Sequence, residues 1–270
     1  MLTHFTQIIA AYVPSEASKV ALKLAVNLSK KHNAKLTILN VNPHKSEEGL
    51  VRRQIDEIMK DEHAEYGFVE KTGKPYKEIL MLEKALDANL IVMGSHGSKE
   101  RDPDWIGGNA FKVLSGSTCP VIIFPQDFPN KGFNNIVLPI GNSSETRQKV
   151  PLTVELASSF GATIHIAVVH KGDDPEVAHR LKIYADQAAK YCDDHEVAYT
   201  VKDVINKNIA NACIDHADEV NADLISIMSE RESETGFFMG HYAQELVNKA
   251  KTPVLTIHVK DMNLTGAAGY

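Results

Sequence analysis

Asn33-Ala34-Lys35-Leu36-Thr37-Ile38 and Gly161-Ala162-Thr163-Ile164-His165-Ile166 are two versions of one stretch, 128 residues apart. At the same offset Ile8-Ile9 answers Ile136-Val137, and Leu24 and Leu28 answer Leu152 and Leu156. Further on, Ala88-Asn89-Leu90-Ile91-Val92-Met93 matches Ala222-Asp223-Leu224-Ile225-Ser226-Ile227 at an offset of 134, and Cys119-Pro120-Val121-Ile122-Ile123 matches Thr252-Pro253-Val254-Leu255-Thr256 at 133. Self-similarity sustained over such a length marks a duplicated structural unit, and the drift in offset marks loop insertions. A chain of 270 residues has room for two such units at about 100 to 200 residues each.

Within each copy, apolar runs such as Leu36 to Val41, Leu90 to Met93 and Val121 to Phe124 read as strands buried on both faces, as in parallel sheets. Between them the period changes. Ala17, Val20, Ala21, Leu24, Ala25 and Leu28 form one helical stripe behind a capping Ser15. Helices are also read from Val51 to Met59, from Pro75 through Ala85, from Asn109 through Leu114 and, in the second copy, from Val177 to Tyr191. Strand alternating with helix predicts an α/β fold, two tandem doubly wound parallel-sheet domains of about five strands each. The stretch Pro125-Gln126-Asp127-Phe128-Pro129-Asn130-Lys131-Gly132-Phe133-Asn134-Asn135 has the turn formers of a linker. The expected domains are therefore residues 1–127 and 134–260, with a loose tail over residues 261–270.

Charge separates the copies. Residues 1–128 carry 16 basic and 16 acidic side chains and residues 129–270 carry 13 and 19, so the net charge of −6 belongs to the second half. An acidic half without a Lys/Arg cluster argues against nucleic acid as a partner. The start, Met1-Leu2-Thr3-His4-Phe5-Thr6-Gln7, lacks a basic and then apolar leader, and no apolar run nears the roughly 20 residues of a membrane span. A cytoplasmic protein without membrane contact is expected. Cys119, Cys192 and Cys213 have no metal-site or disulfide spacing and are expected to be buried thiols. The 12 histidines show no HxH, HxxxH or HExxH spacing, so no metal site is expected.

The chemistry-bearing motif follows Leu90 to Met93. It reads Gly94-Ser95-His96-Gly97, then nine residues, then Gly107-Gly108-Asn109 at the head of a helical pattern. Glycines let backbone amides approach a ligand, and a helix N-terminus offers unpaired N–H groups and the positive end of a dipole. No Walker loop, dinucleotide fingerprint or GxSxG elbow is present. No catalytic residue is assigned, and a slow ATPase would lack a water-activating group.

Gly94, Gly97 and Gly107 in Gly-x2-Gly-x9-Gly spacing, followed by Ala110, Val113, Leu114 and Cys119-Pro120-Val121, resemble the universal stress protein family, and the resemblance spans both copies. It implies an ATP or other adenine-nucleotide site in the first domain, formed by Gly94, Gly97, Gly107, Gly108 and Asn109, with Val13 and Val41 at the strand ends. Nucleotide-binding members carry Ser or Thr after the last glycine and Asp at the end of the first strand; here these positions are Gly108 and Val13. The second copy has Met228 in the place of Gly94, Gly141 in the Asp position, and Ser229-Glu230-Arg231-Glu232-Ser233-Glu234 where phosphate should lie. It is expected not to bind ATP. The resemblance further implies a stress-response binding or sensing module rather than an enzyme, with a nucleotide-independent scaffold and a slow ATPase as alternatives. It also implies pairing of Val121 to Phe124 with Val254 to Ile257 as an intrachain pseudo-dimer, and leaves association into a homodimer open.

Overall fold

The computed structural model describes residues 5–42, 49–95, 107–126, 128–129, 132–172, 174–206, 208–229 and 240–258. The first copy runs β1 (Gln7–Ala11), α1 (Glu16–His32), β2 (Lys35–Val41), α2 (Leu50–Met59), β3 (Gly67–Lys71), α3 (Pro75–Leu86), β4 (Leu90–Gly94), α4 (Gly108–Gly116) and β5 (Val121–Phe124). The second repeats it as β6 (Asn135–Ile140), a short 3-10 helix (Ser144–Lys149), α5 (Val150–Phe160), β7 (Thr163–His170), α6 (Pro175–Asp194), β8 (Tyr199–Ile205), α7 (Ile209–Glu219), β9 (Leu224–Ser229), α8 (His241–Lys249) and β10 (Val254–His258).

The stretch that revealed the repeat is a helix stop followed by a strand. Asn33 and Gly161 both hold left-handed backbone, φ 53° and 66°, at the ends of α1 and α5. The next amides close the same bond in each copy: Ala34 N donates to Ser29 O and Ala162 N to Ala157 O, both at 2.9 Å. Asn and Gly are the residues that accept this conformation at least cost. At the other end of α1, Ser15 caps as expected, its hydroxyl accepting from Ser18 N at 3.2 Å.

Among the described residues ten strands form one sheet in the order β3-β2-β1-β4-β5-β10-β9-β6-β7-β8. Each half is parallel, and equivalent residues share register: Ile8 pairs with Leu36 and Leu90, Ile136 with Ile164 and Leu224. The halves meet through the antiparallel pair β5 and β10, with Ile122 opposite Leu255. The expected pairing of Val121 to Phe124 with Val254 to Ile257 is therefore present within one chain.

Alternate residues of the strands feed two cores. Ile8, Ala10 and Tyr12 pack beneath α1 and α2 with Ile136 and Leu138 beneath α5 and α6, while Ile9 and Ile91 join α3 and α4 and Ile225 joins α7 and α8 on the opposite face. Burial on both faces accounts for strands without polar alternation. Cys119, Cys192 and Cys213 are buried free thiols. The sheet edges β3 and β8 were not named from the sequence. Both are largely exposed or half-buried, so neither carries the apolar run that marks the inner strands. No helix among the described residues is long and apolar enough to cross a membrane. The tail after Lys260 lies outside the described residues.

Candidate functional site

Strand order reverses in the first domain between β1 and β4, whose residues Ala11 and Met93 are partners. Chains leave these two strands for opposite faces, which opens a crevice at the carboxyl edge. Gly94 closes β4, paired with Phe124. A Cβ placed on Gly94 would stand 3.1 Å from Ala17 Cβ and 3.3 Å from both Ser18 N and Ser18 Oγ. Glycine at this position lets the first turn of α1 close onto the strand end.

Beyond Gly94 the chain is anchored twice. Ser95 N donates to Phe124 O at 2.7 Å, and Ser95 O accepts from Gly107 N at 2.9 Å. The second bond joins the two ends of the segment 96–106, so α4 begins beside the end of β4. Gly107 sits at the cap position of α4 with φ −57° and ψ 141°, among the described residues no side chain caps the helix, and no acidic residue stands in its first turn. Gly107 is buried, Asn109 half-buried and Gly108 exposed, and a Cβ on Gly108 would meet nothing within 4 Å. Such a helix end presents N–H donors and the positive dipole to a neighbouring anion. Gly97 lies outside the described residues, as do His96, Lys99, Arg101 and Trp105.

Val13 is half-buried just past β1, its carbonyl accepting from Ser15 N at 2.7 Å in the turn into α1. Val41 ends β2 and is buried in the core with Ile9, Leu39 and Met93. The structure thus brings Gly94, Gly107, Gly108, Asn109 and Val13 to one sheet edge, with Val41 packed at its margin.

The corresponding edge of the second domain is built differently. Met228 takes the place of Gly94 and is buried in the core, and Ser229 beyond it contacts His258 Nδ1 through its hydroxyl at 2.7 Å. Burial pushes the His258 imidazole down to about 4, so the ring is neutral at ordinary pH. Gly240 keeps the conformation of Gly107, φ −55° and ψ 154°, but exposed His241 opens the helix it caps. Residues 230–239, with the glutamates of the expected degenerate loop, lie outside the described residues.

One feature of this edge was missed at the level of sequence. Lys149 is 3% exposed, and its Nζ donates to Thr146 O at 3.0 Å and Thr146 Oγ1 at 2.8 Å. Gly141 N also donates to Thr146 Oγ1. Thr153 Oγ1 donates to Lys149 O and lies 2.7 Å from Ser226 Oγ. Burial pushes the Lys149 amine down to about 7. At the 128- and 134-residue offsets the first domain has Ala21, Ala25 and Val92 for Lys149, Thr153 and Ser226. The available signal was a lysine standing on an otherwise apolar helical stripe.

Comparison with known proteins matches residues 4–125 and 132–258 to the model of the universal stress protein family. A curated relative, universal stress protein YxiE of Bacillus subtilis (strain 168), is 33% identical over 145 residues, covering 44% of this chain and 98% of its own. A universal stress protein from Archaeoglobus fulgidus DSM 4304 superposes over 96% of this chain and 100% of its own at 15% identity, TM-score 0.74. A further universal stress protein of Archaeoglobus fulgidus, solved in complex with dAMP, aligns with 48% of this chain and 100% of its own at 20% identity, TM-score 0.40.

Proposed function

The chain belongs to the universal stress protein family, and we propose that it is an adenine-nucleotide-responsive binding module in which the first domain holds the ligand and the second has given it up. The observation that carries this reading is the start of α4: a helix N-terminus entered through Gly107, with Gly108 exposed and, among the described residues, no capping side chain and nothing where the Gly108 side chain would be. Phosphate is the ligand class that such an end favours, and the nucleoside part follows from the family resemblance of the glycine spacing. Gly94, Gly97, Gly107, Gly108 and Asn109 surround the phosphates in this proposal, while Val13 and Val41 border the nucleoside.

Affinity is lower than in a site with the full side-chain set. Gly108 supplies an amide but no hydroxyl, and Val13 supplies no carboxylate. In the second domain Met228 fills the strand end, and Lys149 is already bonded to Thr146. The module acts in the cytoplasm by binding rather than by catalysis in this reading.

Equilibrium dialysis of the purified full chain against ATP tests the proposal, with the molecules released on denaturation identified by mass spectrometry. Retention of an adenine nucleotide by the native chain supports it. A chain that retains none at millimolar ATP acts as a nucleotide-independent scaffold instead.

A further inference from the structure

The helices α1 and α5 meet across the seam between the domains, and their last residues make two contacts related by the repeat. His32 of the first domain reaches Ser159 of the second, Nε2 to Oγ at 2.7 Å. Lys31 of the first lies over the ring of Phe160 of the second, 5.4 Å from its centroid. At the 128-residue offset His32 corresponds to Phe160 and Lys31 to Ser159, so each contact is the counterpart of the other. The supporting aromatics correspond as well: Phe5 stands edge-on to His32 at 4.8 Å and Phe133 edge-on to Phe160 at 5.3 Å. One side of the pseudo-twofold seam therefore carries an imidazole where the other carries a phenyl ring.

The bond to Ser159 places one proton on that imidazole. Ser159 has one hydroxyl proton and donates it to Glu155 O at 2.8 Å. His32 Nε2 must then be the donor to Ser159 Oγ. The other ring nitrogen, Nδ1, lies 3.5 Å from Glu155 Oε1, and the two side chains are only 9% and 16% exposed. A neutral ring protonated at Nε2 would turn the Nδ1 lone pair toward a carboxylate. A second proton converts that repulsion into an ion pair. The position also favours a cation, because His32 is the last residue of α1 and faces its negative dipole end.

We propose that His32 is a proton-operated clasp between the two domains: as an imidazolium it ties the end of α1 to Ser159 and Glu155 of α5, and deprotonation releases the seam at that point. Among the described residues the charged groups facing it are Glu155 from α5 and the neighbouring Lys31 of α1; Lys30 is engaged with Glu62 at 3.1 Å. Glu155 and the helix end favour the proton and Lys31 opposes it, and the partly buried contact with Glu155 outweighs an ammonium drawn over Phe160. The sign follows. A histidine that binds its proton more tightly in the folded chain contributes stability below its unfolded value and loses it as pH rises through the folded value. The β5–β10 pairing persists through the change, so the clasp alters how firmly the domains are held and leaves them joined.

The test is a pH titration of the full chain by histidine-resolved NMR, with His32 assigned by His32→Phe, which copies Phe160. His32 is expected to titrate above a histidine in an unstructured peptide, and Glu155→Gln to lower its midpoint by about one unit. The excess thermal stability of the parent over His32→Phe should be present at low pH and vanish as His32 deprotonates. A His32 midpoint at or below that of the peptide histidine overturns the proposal, as does a midpoint unmoved in Glu155→Gln. The NMR titration of the parent needs no variant to fold beyond the one used for assignment, and His32→Asn supplies that assignment if His32→Phe does not fold.

Discussion

Gly94 and Ala17 approach so closely that a Cβ on the glycine would stand 3.1 Å from that of the alanine. The glycine that opens the proposed phosphate motif thus also lets α1 pack closely onto the end of β4. Gly94→Val should destabilise the chain by about 1–3 kcal/mol through overpacking, read from urea denaturation without nucleotide. Weakened ATP binding in that variant alone would therefore not identify a phosphate contact.

Gly108 offers the complementary case, since its Cβ position is open. Gly108→Ser replaces the poorer helix former and adds the hydroxyl that the resemblance expects. A hydrogen bond to a charged group contributes about 1.5–3 kcal/mol, so ATP should bind about ten- to a hundredfold tighter by calorimetry with no loss of thermal stability.

Glu83 anchors the entry to the seam strand. Its buried Oε1 accepts from Thr118 N at 2.7 Å, Thr118 Oγ1 at 2.8 Å and Cys119 N at 2.9 Å. Glu83→Ala leaves these donors without their acceptor and should cost about 2–4 kcal/mol. Hydrogen exchange should show the Thr118 and Cys119 amides losing protection along with β5.

Lys149 gives the second domain a pH signature. Its amine sits at about 7 in the folded chain against about 10.4 unfolded. Between those values the unfolded chain holds the extra proton, so this group makes stability rise with pH by at most about 1.4 kcal/mol per unit. Below pH 7 the lysine is charged in both states and its penalty is constant. Lys149→Met should therefore gain most over the parent at pH 7, with the gap closing toward pH 10 in paired urea melts.

Much of the architecture is legible in sequence because both faces of the inner strands are buried: Leu36 to Val41 and Leu90 to Met93 have little freedom to be anything else. The edges β3 and β8 escaped because strands such as Gly67–Lys71 bury too little to impose a pattern. At the site, spacing located the glycines but not their reasons. Gly94 answers to Ala17 and Ser18, which lie more than 70 residues earlier in sequence, a proximity only the fold creates. The Lys149, Thr146, Thr153 and Ser226 group was hidden for the same reason, since Ser226 arrives from β9 while the others lie on the 3-10 helix and α5.

One adenine nucleotide is expected to bind per chain, at the start of α4 and not at the start of α8. Calorimetric titration of ATP into the full chain and two matched variants tests it most directly. Gly108→Asp and His241→Asp each place a carboxylate at the first residue of an exposed helix start, where it suits the helix dipole and repels phosphate. One site is expected in the parent, with its loss in Gly108→Asp and its retention in His241→Asp. Absence of binding in the parent, or binding kept in Gly108→Asp and lost in His241→Asp, would contradict it.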